Sequence, residues 1–198
     1  MLDKTNQTPF DTHYFYQGVW ASQLIAHNFP VYHVDIGSEV QFVSIIAAFV
    51  PVFFVDLRPL LANVPNLRCL SSNILQLPFP SNSINSLSCL HVVEHIGLGR
   101  YGDPIDPQGT AKAAMELTRV LEPEGNLYLS LPIGKPRICF NAHRIHSPKR
   151  IIELFNGLEL VELSVTDDNG SFLSNVQLNE SWNAEYACGM FHFRKPRS

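Results

Sequence analysis

Apolar residues in this chain fall into short blocks of two alternating kinds. Residues 31–35 form an apolar run that ends in an acid and is soon followed by a glycine, and residues 51–55 are apolar throughout, as a strand covered on both faces must be. Between them, residues 39–49 are predominantly apolar and long enough for a helix. Residues 67–70, 84–90 and 126–131 repeat the strand pattern, and residues 109–121 set Ala113, Leu117, Val120 and Leu121 on one side of an amphipathic helix. Upstream, residues 11–27 carry Phe15, Val19, Trp20 and Leu24 at mixed helical spacing, which predicts a leading helix within residues 1–30. Ser147 and Pro148 mark the start of a short helix over 148–155. Residues 158–165 and 187–193 read as two last strands with only loop between them. Strands alternating with helices imply parallel pairing. The predicted architecture is an α/β sandwich with a mostly parallel seven-stranded sheet and a C-terminal antiparallel hairpin.

Length and composition narrow the classes. At 198 residues the chain fits one domain, 1–198, with material for a single core. Apolar residues make up 45% and charged residues 16%, the balance of an ordinary globular protein. A formal charge of -4 provides no broad basic field, so no nucleic-acid partner is expected. The longest apolar run, 44–55, is too short to span a bilayer and contains Pro51, so no membrane span is expected. Cys69, Cys89, Cys139 and Cys188 are scattered without metal-ligand or redox spacing, and they read as reduced thiols in a cytoplasmic protein. The N-terminus has no apolar core of signal-peptide type.

The most informative stretch is 73–132. It contains NILQLPFP, then SLSCLHVVEHIGLGRYGDP, then ELTRVLEPEGNLYLSLP. In that order these pieces resemble the class I S-adenosylmethionine-dependent methyltransferases, with LEPEG where the family usually has Leu-Lys-Pro-Gly-Gly. The resemblance runs from about residue 31 to 193. Within the family, HVVEHIGLGRYGDPIDPQG and PIGKPRICFNAHRIHSP look like a branch still labelled a domain of unknown function. It implies a Rossmann-like methyltransferase sandwich, S-adenosylmethionine as cofactor, and methyl transfer to a hydroxyl or amine of a small-molecule or saccharide acceptor. The saccharide preference comes from that association alone.

The candidate residues follow from this placement. Open α/β sheets bind ligands beyond the carboxyl ends of their strands. Asp35 ends the first strand and would meet the cofactor's amino group, with Gly37 and Ser38 forming the turn beside it. The usual further glycines are replaced in the region of Glu39 and Gln41, whose side chains would crowd a ligand. Asp56 ends the second strand, about 20 residues on, and is placed on the ribose hydroxyls next to Leu57. Asn73 stands where the family often has Asp, on the adenine amino group, with Ile74 as an apolar wall. Past the fourth strand, His95, Glu94 and His91 are the catalytic candidates, with a neutral imidazole taking the acceptor's proton. Helical spacing would put His91 and His95 on one face, where Glu94 or Asp103 could complete a divalent-metal site, but no metal is assigned. Two loops, 97–109 and 134–147, should emerge on the same side. Arg100, Tyr101 and Asp103 on the first, with His143 and Arg144 on the second, are the substrate candidates. The competing reading is a catalytically silent scaffold on the same fold. A nicotinamide-dependent dehydrogenase is disfavoured by the missing glycine fingerprint and by the terminal hairpin.

Overall fold

The computed structural model describes residues 8–58, 60–139, 142–178 and 183–197. Residues 1–7 of the leading segment and 140–141 of the 134–147 loop therefore lie outside the described residues. Helix α1 spans Thr12–Asn28, with Asp11 accepting the His13 and Tyr14 N–H groups that a helix start leaves free. It ends at Phe29, in the left-handed region. Then follow β1 (His33–Ile36), α2 (Val40–Ala47), β2 (Val52–Asp56), β3 (Leu67–Ser71) and β4 (Ile84–Leu90). A 3₁₀ turn at Val93–His95 precedes α3 (Gly109–Val120) and the long β5 (Leu121–Ile133). The remainder comprises β6 (Arg137–Cys139), β7 (His143–Ile145), α4 (Pro148–Leu154), β8 (Glu159–Thr166), β9 (Phe172–Leu173) and β10 (Ala187–Arg194). Ser147 accepts from Arg150 N–H and Pro148 opens α4, as the sequence predicts.

The main sheet has eight strands in the order β3-β2-β1-β4-β5-β10-β8-β9. The first five pair in parallel, and β10 runs antiparallel between β5 and β8. The expected seven strands are all present. The eighth, β9, is a two-residue edge strand inside the connection expected to be loop only. It forms because Asp167 accepts from Asn169 and Ser171 N–H and turns the chain back onto β8. The 134–147 loop is a second departure, since β6 and β7 pair as a small separate hairpin. β5 also begins earlier than expected. Leu121 already pairs with Ile84, a register shift follows, and Asn126 then pairs with Ser86.

Two apolar clusters cover the faces. α1 and α2 bring Trp20, Ile25, Phe42 and Ile46 onto one face, while α3, α4 and the residue capping α4 bring Leu117, Val120, Ile151 and Phe155 onto the other. This makes a three-layer sandwich. The strand order reverses at β1, between β2 and β4, and the carboxyl ends there are left open for a ligand. None of the described helices is long and apolar enough to cross a membrane.

Candidate active site

Two chambers of about 230 and 630 Å3 open at this edge. Their sizes fall in the range of small-ligand sites, about 300–1,000 Å3 when taken as one cleft. The first is bounded by Gly37, Asp56, Leu57, Asn73 and Ile74. The second is bounded by the first turn of α1, Glu39, Glu94, Arg100, His143 and Tyr186. Gly37, His91, His95 and Tyr101 line both. The chambers therefore meet at the residues that follow β1 and β4.

Gly37 has φ +65°, and a Cβ built on it would lie 3.4 Å from Val92 and 3.5 Å from Asp56 Oδ2. The turn thus brings bare backbone close to the tip of β2, and a side chain there would enter the space between them. Asp56 accepts from Arg58 N–H at 2.7 Å, which leaves its other oxygen, Oδ2, towards Gly37. Asn73 Oδ1 accepts from Leu75 N–H at 2.9 Å, an Asx turn that presents Ile74 and Leu75 to the chamber. Gln41 is exposed and off the cleft wall. Glu39, at the start of α2, faces the polar chamber rather than the Asp56 side.

Asp35 and Ser38 are buried behind this wall. The Asp35 carboxylate accepts from Ser38 N–H and from the Ser88 hydroxyl, and Ser38 Oγ accepts from Leu90 N–H. Together they brace the Gly37 turn from below. Burial raises the Asp35 pKa to about 6, against the lowering effect of these hydrogen bonds. A residue missed by sequence reasoning lies next along this line. His33 is fully buried, with Nδ1 2.8 Å from Ser86 Oγ and Nε2 2.8 Å from Ser88 Oγ. Its only sequence signal was a polar residue inside an otherwise apolar strand.

Glu94 is fully buried at the junction. Its Oε1 lies 2.8 Å from His91 Nδ1 and 3.7 Å from His95 Nε2. Burial works against its charge, but the His91 hydrogen bond and the positive fields of His91 and His95 outweigh that and hold its pKa below the ordinary value. Its Oε2 has no hydrogen-bond partner among the described residues. A buried carboxylate oxygen without a donor is costly, and a ligand N–H or O–H would satisfy it. The expected helical face for His91 and His95 is replaced by a left-handed His91, φ 56°, followed by the 3₁₀ turn. Both imidazoles nevertheless reach the same carboxylate oxygen.

His95 Nδ1 is 2.5 Å from Ala142 O, with Arg100 Nη1 3.3 Å from the same nitrogen and 3.1 Å from the same carbonyl. A carbonyl can only accept, so Nδ1 carries a proton directed at Ala142 O, and Nε2 is the ring nitrogen turned towards Glu94. Tyr101 is flanked by the guanidinium groups of Arg58 and Arg100, 5.1 and 5.4 Å from its ring. Asp103 accepts from Gly97 and Tyr101 N–H and so folds the 97–109 loop onto itself. Arg144 is buried and lines neither chamber. Its guanidinium donates to the carbonyls of Ile96, Gly97 and Asp106 and ties that loop to β7. His143 faces the polar chamber, 6.4 Å from the His95 ring.

Two family profiles each match more than half of the chain. One, described as a methyltransferase domain, matches residues 18–129. The other, described as Caenorhabditis protein of unknown function, DUF268, matches residues 80–195. No curated protein matches the chain. Among solved structures, the fold is similar to that of N-methyltransferase NodS from Bradyrhizobium japonicum in complex with S-adenosyl-L-homocysteine. The TM-score is 0.63 at 16% identity, covering 92% of this chain and 87% of that one. A candidate methyltransferase from Bacillus halodurans superposes with a TM-score of 0.63 at 14% identity, covering 91% and 99%. The [4+2]-cyclase SpnF has a TM-score of 0.62 at 10% identity, covering 91% and 82%. At these identities the likeness is one of fold.

Proposed function

Because the chain belongs to the class I S-adenosylmethionine-dependent methyltransferases, we propose that it is an enzyme moving a methyl group to a hydroxyl or amine of a small-molecule or saccharide acceptor. The single observation that carries this reading is the wall shared by the two chambers. A donor beside Gly37 and Asp56 and an acceptor beside Glu94 and His143 would meet at His91 and His95.

The chamber residues fit the cofactor. Asp56 would accept the ribose hydroxyls, Asn73 the adenine amino group through its remaining lone pair, and Ile74 and Leu57 would flank the ring. The Gly37 turn would let the methionine portion pass, with Asp35 and Ser38 acting as its support from below. When bound, S-adenosylmethionine supplies a methyl carbon on a positively charged sulfur. His95 Nε2 is the group to receive the acceptor's proton as its oxygen or nitrogen bonds to that carbon, and the sulfur keeps the electron pair of the broken bond. Nδ1–H stays on Ala142 O throughout, and Glu94 offsets the charge that develops on the ring. His91 holds Glu94 Oε1 in place, and the free Oε2 would take a second N–H or O–H from the acceptor. Arg100, Tyr101 and His143 would contact the rest of the acceptor, with Asp103 and Arg144 setting the loop that carries them. The loops 97–109 and 134–147 are thus the substrate side of a single domain. Four free cysteines suit a cytoplasmic setting.

Glu39, standing where the family places a glycine, favours a second reading, a catalytically silent binding protein. Calorimetric and thermal-shift titration with S-adenosylhomocysteine and NAD separates the two. The enzyme reading expects S-adenosylhomocysteine alone to bind, and at a hundred times its Kd to stabilise the fold by about 2.7 kcal/mol. No heat and no shift at millimolar ligand would give the silent reading the lead.

A further inference from the structure

One cluster of metal-ligating side chains shares only His91 with this chemistry. His13 in the first turn of α1, His91 just past β4 and Cys188 on β10 bring their ligand atoms within 4.8 Å of one another. Cys188 Sγ lies 3.5 Å from His91 Nε2. With Zn–S near 2.3 Å and Zn–N near 2.1 Å, the S···N edge of a zinc tetrahedron is about 3.6 Å. The two atoms therefore already stand at the separation of two ligands on one ion.

The surroundings support this. His91 Nδ1 is held by Glu94 Oε1 at 2.8 Å and Nε2 faces Cys188 Sγ, so a metal ion there would take the place of the Nε2 proton. A carboxylate behind an imidazole is the usual arrangement for orienting a metal-bound histidine. The backbone of His91 is left-handed, a conformation that costs a residue with a Cβ about 1–2 kcal/mol and persists where a side chain has to be aimed. His13 stacks between His91 and Tyr186, at 5.7 and 5.2 Å, and so stays over the same point.

We propose that His13, His91 and Cys188 bind one zinc ion whose fourth position opens onto the polar chamber. Two imidazoles and a thiolate suit zinc and disfavour magnesium or calcium, which take oxygen ligands. Three protein ligands leave a position free, as in catalytic rather than structural zinc sites. His13 and His91 both line the polar chamber, so a water or the acceptor's hydroxyl or amine would occupy that position. The same three residues could be read as a cysteine nucleophile activated by a Glu94–His91 pair. Cys188 is fully buried and lines neither chamber, however, so its sulfur does not face a reacting carbon in the cleft, whereas an ion would bridge it to the two histidines that do line it.

The test uses the untagged 198-residue chain equilibrated with zinc and then dialysed against zinc-free buffer. Elemental analysis should find about one zinc per chain, and cobalt substitution should give a thiolate-to-cobalt charge-transfer band in the near ultraviolet. Cys188→Ser should abolish the band, and His13→Ala, at a half-buried helix start, should lower the zinc content at least tenfold with the circular dichroism unchanged. Should Cys188→Ser not fold, His13→Ala and His13→Gln decide. Absence of zinc from the wild-type chain, or zinc retained undiminished in the variants, overturns the site. S-adenosylhomocysteine titration runs in parallel. Zinc without nucleoside binding would leave this site standing and remove the function proposed above, and the reverse would do the opposite.

Discussion

Ser88 donates its hydroxyl to Asp35, and this bond sets the direction of the proton line behind it. With its hydrogen committed, Ser88 Oγ can only accept from His33 Nε2–H, so His33 Nδ1 must accept from Ser86. The parallel register that places Asp35 opposite Ser88 makes this possible. A support for the Gly37 turn is thereby built inside the sheet rather than on its rim.

Asp35 should leave a signature in the pH dependence of stability. Its pKa rises from 3.8 to about 6 on folding because burial disfavours the anion. The stability it contributes is complete below pH 3.8 and is lost as the pH rises through 6, by about 3 kcal/mol. Asp35→Asn should therefore gain on the wild type between pH 4 and pH 7. Urea unfolding at several pH values would show it, and a difference that does not change with pH would contradict it.

His33 acts in the opposite sense. Burial drives its pKa from 6.5 down to about 3, so the unfolded chain takes up a proton that the folded chain refuses. Its contribution is present above pH 6.5 and is lost as the pH falls towards 3. His33→Gln keeps a donor and an acceptor, and should lower the midpoint of acid unfolding by about 0.5 pH unit. An unmoved midpoint in circular dichroism would show that other groups govern acid unfolding.

At the tip of β2, Asp56→Ala should weaken S-adenosylhomocysteine binding by about 1–3 kcal/mol, the scale of lost charged hydrogen bonds. The melting temperature without ligand should hardly change, because Asp56 sits at a strand tip and its carboxylate, among the described residues, accepts only from the Arg58 N–H of its own turn. Equal affinity in the folded variant would place the ribose elsewhere.

Once an acceptor is in hand, His95→Ala should cut turnover by ~100-fold or more while nucleoside affinity stays within a few-fold. Loss of binding together with turnover would instead make His95 a structural tie to Ala142. Full activity would move the base role to His143.

Arg144→Gln removes three guanidinium bonds from the carbonyls of the 97–109 loop. Limited trypsin digestion should then cut at Arg100 at least several-fold faster than in the wild type, since cleavage tracks local opening. An unchanged cutting rate would show that Asp103 holds the loop alone.

Much of the fold was readable because long apolar blocks have few ways to pack. Residues 84–90 were expected as a strand and are β4 to the residue. β9 was not readable, since two exposed residues carry no period, and neither was the β6–β7 hairpin, with three residues per strand. The start of β5 was hidden because Glu124 and Gly125 look like a turn, and they do bulge, yet the chain on either side still pairs with β4. Of the site, the strand-tip residues were legible because topology alone puts them on one edge. Arg144 was misjudged for lack of any sign that three carbonyls would surround it. His13 and Cys188 gave no signal at all. One is a polar residue at a helix start and the other an apolar-looking residue in a strand, and only tertiary packing brings them to His91, 97 positions from Cys188.

Tyr101 faces both chambers, and the hydrogen bonds of Asp103 make it travel with its loop. Any displacement of that loop would therefore uncover both chambers at once, so the two would share one opening rather than having independent doors.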